Sequence, residues 1–139
     1  MRQLSCIKGA MAGYTRINIK DLENMAAKYG RKGYEARFAG KPLELKESGM
    51  GYQKLDPNHR MGFGHKHEVQ EEVFVVISGN GKFKLDDEII DVKAWDAIRI
   101  PKDTMRCYVA GAKGMELLIF GAPFTKKNDA QLEQGWWED

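Results

Sequence analysis

The stretch His65-Lys-His67-Glu-Val-Gln-Glu-Glu72, followed by the apolar run 73–77 and by Gly79, decides how this chain is interpreted. In a β-strand, side chains two residues apart lie on the same face, so His65 and His67 can present two imidazoles to one point. The β-branched run after Glu72 predicts a second strand that returns after a polar loop. Glu72 would begin that strand, where its carboxylate can approach both imidazoles.

These three side chains form a candidate metal site. Two neutral imidazoles and one carboxylate suit Fe(II), Mn(II), Zn(II), Ni(II) or Cu(II), and such a set with open positions is the usual non-haem iron arrangement. The alternative is a surface loop with solvated histidines. All three histidines of the chain, His59, His65 and His67, fall within nine residues and directly precede the apolar strand. This clustering favours an interior pocket over a solvated loop, and whether the pocket holds a metal stays open.

The composition is that of one globular domain. The chain has 139 residues, of which 42% are hydrophobic and 30% charged. Basic and acidic residues, 22 and 20 in number, are interspersed, so the net charge of +2 gives no case for nucleic acid or an anionic membrane as a partner. We therefore expect a small molecule as the partner.

The cysteine pattern favours a reducing location. Cys6 and Cys107 are far apart and form no Cys-x-x-Cys pair, which argues against a disulfide framework and against a structural zinc knot. The first fourteen residues are too short and polar for a signal peptide, and no later apolar run approaches the length of a membrane span. We expect a cytoplasmic protein. Cys107 itself is predicted to fill the core.

One short helix is predicted near the N-terminus. Asn18 is its N-cap, and Gly30 ends it. The apolar positions on its packed face are Leu22, Met25, Ala26 and Tyr29.

After this helix, turn signals recur every eight to twelve residues, which predicts an all-β sandwich or barrel. Gly79-Asn-Gly81 and Asp86-Asp87 are interpreted as hairpin turns. The predicted strands cover residues 34–38, 73–77, 82–85, 89–92, 97–100 and 115–120.

The strand that begins at Glu72 is apolar on both faces, so both must be covered. Phe74 and Val76 share the face of Glu72 and line the interior. The opposite face must meet a second sheet, the N-terminal segment or another subunit, and we therefore expect a homodimer. That opposite face carries Val73, Val75 and Ile77.

The pattern of His65-x-His67, four residues, Glu72, six residues and Gly79 resembles the first motif of the cupin superfamily. That motif consists of a glycine, His-x-His, three or four residues, Glu, six residues and Gly. His59 stands at the position of its leading glycine. The resemblance covers residues 52–120 and implies a small antiparallel double-stranded β-helix, the cupin jelly-roll barrel. Residues 1–51 would be an N-terminal extension with the short helix and pairing strands, and residues 121–139 a C-terminal tail, all in one domain.

The second cupin motif is similar to the segment from Trp95 to Arg106. Pro101 matches, but Trp95 replaces the leading glycine, Asp103 replaces the turn glycine, and Arg106 stands where the family has its last histidine ligand. Asp tolerates left-handed turn geometry better than most residues. Arg106 is the larger change, because a guanidinium stays protonated and has no lone pair for a metal.

Three interpretations of Arg106 stay open. In the first, His65, His67 and Glu72 still hold a metal and Arg106 binds the carboxylate or phosphate of a ligand. In the second, no metal is bound, Arg106 pairs with Glu72, and the histidines line a ligand pocket. In the third, Arg106 turns outward on a shifted strand. Tyr108 returns to the face of Arg106 and is predicted to reach the pocket.

The resemblance thus implies a small-molecule pocket with one divalent metal on two His and one Glu, and with Arg106 anchoring an anionic ligand. Oxidation, isomerisation and lyase chemistry all occur in the family, and no residue selects among them. The alternative is a metal-free module that binds a sugar or an organic acid without catalysis, using Arg106 and an apolar wall of Phe74 and Val76. A third interpretation is an empty barrel with a structural role. Trp136-Trp137 is predicted to anchor the tail against the barrel or a partner subunit.

Overall fold

The computed structural model of the protein describes residues 7–9, 13–122 and 128–138. Within these ranges, β1 and β2 pair with each other, and the other eight strands form one antiparallel sheet. The elements in chain order are β1 (Ile7–Gly9), β2 (Tyr14–Arg16), a 3-10 helix (Ile19–Asp21), α1 (Met25–Lys28), β3 (Tyr34–Phe38), β4 (Gly49–Leu55), β5 (Phe63–His67), β6 (Glu72–Leu85), β7 (Glu88–Lys93), β8 (Ala97–Ile100), β9 (Arg106–Gly121) and β10 (Ala130–Gln134).

The sheet curls into a barrel because β6 and β9 are long enough to take part in two layers. Residues 72–78 of β6 pair with the C-terminal half of β9, and residues 72–75 also pair with β8. The C-terminal half of β9 also pairs with β4, which in turn pairs with β3. Residues 81–85 of β6 pair with β7 and with the N-terminal half of β9, which also pairs with β5 and, through it, β10. The all-β barrel class predicted from the sequence is confirmed.

The single helix predicted between Asn18 and Gly30 is wrong in extent, because the segment forms two short helices. Asn18 caps the 3-10 helix, whereas Asn24 starts α1 by accepting hydrogen bonds from its first backbone N–H groups. The same Asn24 Oδ1 also accepts a hydrogen bond from the backbone N–H of Ala36 in β3 at 3.1 Å. This tertiary contact holds Asn24 in a non-helical position between the 3-10 helix and α1. Tyr29, predicted on the packed face, is 69% exposed. The buried positions are Leu22 and Ala26.

The hairpin turn predicted at Gly79-Asn-Gly81 is also wrong, whereas the one at Asp86-Asp87 joins β6 to β7 as predicted. β6 runs through Gly79, and its register against β9 shifts on both sides of this residue, as in a β-bulge. Gly79 lies opposite Met115 of β9 and has a φ of 77°, and Gly114, which precedes Met115, also has a φ of 77°. The two glycines let both long strands bend from one layer into the other.

Replacing Gly79 by alanine is expected to lower the free energy of unfolding by about 2 kcal/mol, because an L-residue pays a steric cost at this φ. A Cβ at Gly79 would also overlap the carbonyl oxygen of Gly114. Gly62→Ala is the matched control, since a Cβ there meets no atom within 4 Å. Urea unfolding measures both variants. Equal stability of the two variants would contradict the role of Gly79 as the bend.

The core lies between the two layers and is aromatic at its centre. The ring of Phe74 lies 5.4 Å from that of Phe83 and 5.6 Å from that of Tyr108, measured between centroids, and Phe83 stacks on Tyr108 at 4.9 Å. Cys107 is a core residue as predicted, with 1% of its surface exposed, and burial raises the pKa of its thiol to about 11. Cys6 lies outside the described residues.

The outer face of β6 is only partly covered within the described chain. Its side chains are neither fully buried nor fully exposed, in contrast to Phe74 and Val76 on the inner face. The homodimer expected from this pattern stays a prediction. The outer positions are Val73, Val75 and Ile77. In the described part of the chain, no helix is long and apolar enough to span a membrane.

The C-terminal segment is attached to the barrel by β10, which pairs with β5 along its whole length so that Ala130 lies opposite His67. Trp136 and Trp137 pack against the core cluster, which confirms the predicted anchor against the barrel. Trp136 fits over Gly64, where a Cβ would come within 2.7 Å of the indole. This attachment brings Asp129, which directly precedes β10, next to His67.

Candidate metal centre

The two predicted histidines and the predicted glutamate converge on one point inside the barrel. The Nε2 atoms of His65 and His67 lie 3.5 and 2.9 Å from Oε1 of Glu72. One possible donor atom from each of the three residues falls within 4.8 Å of the other two. Side-chain exposure is 15% for His65, 8% for His67 and 13% for Glu72, so the cluster is largely shielded from solvent. The strand spacing therefore predicted this cluster correctly.

Arg106 lies beside this cluster and faces inward, so the interpretation that turns it outward is wrong. It pairs directly with His65 across β5 and β9, and none of its surface is exposed. Its Nη1 donates to Oε1 of Glu72 at 2.6 Å. Its Nη2 donates to the carbonyl oxygens of Pro101 at 2.8 Å and Thr104 at 2.9 Å, and Nε donates to Thr104 at 3.2 Å. The pairing with Glu72 foreseen in the second interpretation is thus present.

A fifth polar residue, Asp129, contacts His67 on the side away from Glu72. Its Oδ2 lies 3.0 Å from Nδ1 of His67, and only 1% of its surface is exposed. It also accepts hydrogen bonds from three consecutive backbone N–H groups in the loop between β5 and β6, at 3.1, 2.7 and 3.2 Å. Those groups belong to Glu68, Val69 and Gln70. The local sequence does not identify Asp129 as a residue of the site, because it lies 62 residues from His67 and precedes an exposed strand.

The nitrogen of His67 that faces Glu72 has no hydrogen-bond partner, although it is buried. Its contact with Oε1 of Glu72 is short, but the angles are not those of a hydrogen bond. The residues thus present one unpartnered imidazole nitrogen, a second imidazole and a carboxylate to the same volume. This donor set fits a divalent transition metal.

Burial and charge act in opposite directions on the ionisable groups of the site. Burial lowers the pKa of His65 below its ordinary value, despite the carboxylate of Glu72. Burial also disfavours the charged form of His67, but the carboxylates of Glu72 and Asp129 outweigh it and raise the pKa of His67. For Glu72, burial is outweighed by the two imidazoles, which hold its pKa well below the usual range. Glu72 is therefore ionised at neutral pH, as a metal ligand must be.

Two residues predicted to contact a ligand lie in the core beneath the cluster. Phe74 has no exposed surface, and Tyr108 has 2%. The hydroxyl of Tyr108 donates to Oε1 of Gln53, and burial raises its pKa. A role of either residue in ligand binding stays a prediction. The third histidine, His59, is outside the cluster and stacks on the ring of Tyr34 at 5.6 Å.

A family model described as a cupin domain matches residues 51–120, which is half of the chain. The chain belongs to the cupin family. Within the cupin pattern, the first motif supplies His65, His67 and Glu72, whereas Arg106 stands in place of the last histidine of the second motif. The geometry explains how this cupin accommodates the replacement, because Glu72 and two backbone carbonyls satisfy the guanidinium.

Solved structures with a similar fold include a cupin protein and two enzymes. A cupin protein from Bacteroides fragilis is 20% identical, with a TM-score of 0.67 over 85% of this chain and 91% of that chain. Pac13, a nucleoside dehydratase, is 18% identical, with a TM-score of 0.68 over 86% of this chain and 90% of that chain; variants of the Streptomyces protein have been solved with uridine. A variant of oxalate decarboxylase from Bacillus subtilis is 22% identical, with a TM-score of 0.69 over 85% of this chain and 31% of that chain. These likenesses show the shared fold.

Among curated proteins, an uncharacterized protein of Methanocaldococcus jannaschii is 42% identical over 40 residues. The match covers 29% of this cupin and 32% of the relative, so it spans about a third of that protein's length.

Proposed function

We propose that this cupin binds a small organic anion at a site that holds one divalent transition metal through His65, His67 and Glu72. The observation that carries the proposal is the buried Nε2 of His67, which lies 2.9 Å from Oε1 of Glu72 but has no hydrogen-bond partner. One possible donor atom from each of His65, His67 and Glu72 lies within 4.8 Å of the other two. Leaving a buried polar atom without a hydrogen bond costs about 1–3 kcal/mol, and coordination of a metal ion by this nitrogen would remove that cost.

The charges around the cluster support an anionic ligand. Glu72 and Asp129 are two carboxylates, and Arg106 contributes one positive charge. With neutral imidazoles and a divalent ion, the sum of these charges is positive by one unit. A buried positive charge is costly unless it is compensated, and a ligand with a single carboxylate would compensate it.

In the proposed site, the bound ion and Arg106 have different roles in ligand binding. A divalent ion held here would supply Lewis-acid polarisation of a ligand oxygen. Arg106 is fully buried, and four of its five N–H groups point to Glu72 and to backbone carbonyls. We therefore propose that Arg106 attracts the anion mainly through its charge. The similar folds of a nucleoside dehydratase and an oxalate decarboxylase support small polar molecules as the ligand class.

Elemental analysis of the untagged protein, expressed without added metal and purified by gel filtration, tests the proposal. We expect close to one transition-metal ion per chain in the wild type and almost none in His65→Ala/His67→Ala, because two of the three donors are lost. His59→Ala is the matched control, since it removes the histidine outside the cluster and should keep the metal. Equal, sub-stoichiometric metal in all three proteins would contradict the metal site.

A second candidate function is metal-free binding of a sugar or organic acid. The short contact of Arg106 with Glu72, at 2.6 Å, favours it, because the guanidinium already neutralises the carboxylate. Thermal unfolding with candidate ligands separates the two functions. A ligand-dependent rise in melting temperature that persists in His65→Ala/His67→Ala supports the metal-free module, whereas a rise that requires both the histidines and the ion supports the metal site.

A further inference from the structure

We infer that Asp129 is a positioning residue, which keeps the ring proton of neutral His67 on Nδ1 and thereby leaves the lone pair of Nε2 available to an ion at the cluster. The inference rests on the proposed function, because an ion at the cluster would use that lone pair. The role of Asp129 extends the site to the C-terminal segment, which lies outside the part of the chain that the cupin motifs cover.

Two carboxylates compete for the single ring proton of neutral His67. Asp129 meets Nδ1 at 3.0 Å with hydrogen-bond geometry. Glu72 approaches Nε2 at 2.9 Å without that geometry, and the same Oε1 already accepts from Arg106 at 2.6 Å. The proton therefore belongs on Nδ1, since the partner of one ring nitrogen decides which form of a neutral histidine is present.

Asp129 is itself held in place. Its Oδ1 accepts from the backbone N–H groups of Glu68 and Val69, and its Oδ2 accepts from that of Gln70. An ionised carboxylate can only accept hydrogen bonds, so it cannot turn a donor toward Nδ1. Carboxylates in this arrangement orient metal-binding histidines and raise their basicity.

Asp129→Asn is the informative substitution, because it preserves shape while exchanging one acceptor for a donor. The amide oxygen can keep the two bonds from Glu68 and Val69, which places the NH2 group next to Nδ1 of His67. That group donates, so the ring proton of His67 should move to Nε2, where it blocks the lone pair. The matched control is Gln131→Ala, which removes a contact between β10 and the side chain of Glu68 at 2.8 Å without touching His67.

The first readout is independent of any metal. Ring nitrogen chemical shifts of His67, measured by NMR on metal-stripped protein at alkaline pH, should show the proton on Nδ1 in the wild type and in Gln131→Ala. In Asp129→Asn they should show it on Nε2. A wild-type ring that carries a proton on Nε2, or an Asp129→Asn ring that keeps its proton on Nδ1, would overturn the inference.

The second readout is the affinity for Co²⁺, followed through the absorption of the bound ion. Asp129→Asn should bind Co²⁺ about 10–100-fold more weakly than the wild type, while Gln131→Ala stays within about twofold. Unchanged affinity in Asp129→Asn would overturn the inference even if the wild type binds the ion well. If no protein binds Co²⁺ but the NMR shifts behave as expected, the metal proposal fails and the positioning role of Asp129 stands.

Discussion

Replacing Arg106 by leucine should lower the free energy of unfolding of the metal-stripped protein by about 3–5 kcal/mol, the range found when one partner of a buried ion pair is removed. Leucine fills part of the volume but provides no donor. Glu72, with only 13% of its side chain exposed, would lose its shortest contact. The carbonyl oxygens of Pro101 and Thr104 would lose their bonds to Nη2 as well. Urea unfolding at constant ionic strength measures the change.

Arg99→Leu is the matched control for this experiment. Arg99 forms a salt bridge with Glu71 at 3.3 Å, but its side chain is 65% exposed, and such surface pairs contribute less than about 1 kcal/mol. The double variant Arg106→Leu/Glu72→Gln should be more stable than Arg106→Leu alone, because it removes the charge that Arg106 leaves uncompensated. If Arg106→Leu were no less stable than Arg99→Leu, the guanidinium would not be a structural substitute for the missing histidine ligand.

The cluster of His65, His67 and Glu72 could be predicted from the sequence because it depends on local rules. Strand periodicity puts two histidines on one face, and a β-branched run fixes the start of the next strand. The family resemblance placed Arg106 where the last histidine ligand stands in cupins, but it left open whether the side chain faces the cluster. Its bonds to backbone carbonyls could not be predicted, since they depend on how the loop before β9 folds back onto the strand.

Asp129 could not be predicted for a different reason. β10 is short and exposed along its length, and Ala130 and Leu132 are its only apolar residues, so its apolar pattern is too weak to indicate that it pairs with β5. The structure at Gly79 could not be predicted either, because a glycine with positive φ occurs both in hairpin turns and in β-bulges. Only the pairing of β6 with β9 on both sides of Gly79 distinguishes them. The contact of Asp129 with His67 and the bulge at Gly79 both depend on which distant strands pair, and the local sequence does not determine that.

Replacing Phe74 by alanine should destabilise the metal-stripped protein by about 3–5 kcal/mol, the usual cost of truncating a buried phenylalanine. Phe74 has no exposed surface, and its ring contacts both Phe83 and Tyr108 edge to face. These two rings stack on each other and connect the layers, so the cavity would open at the centre of the core. Thermal and urea unfolding should both detect the loss.

Phe38→Ala serves as the control, because Phe38 is 61% exposed and its truncation should change stability by less than about 0.5 kcal/mol. A milder variant, Phe74→Leu, separates the packing role of Phe74 from its predicted contact with a ligand. If Phe74 acts only in packing, Phe74→Leu should lose stability while metal content and ligand-induced thermal shifts stay as in the wild type. A loss of ligand response in a stably folded Phe74→Leu protein would instead place the ligand deeper in the barrel, against the aromatic core.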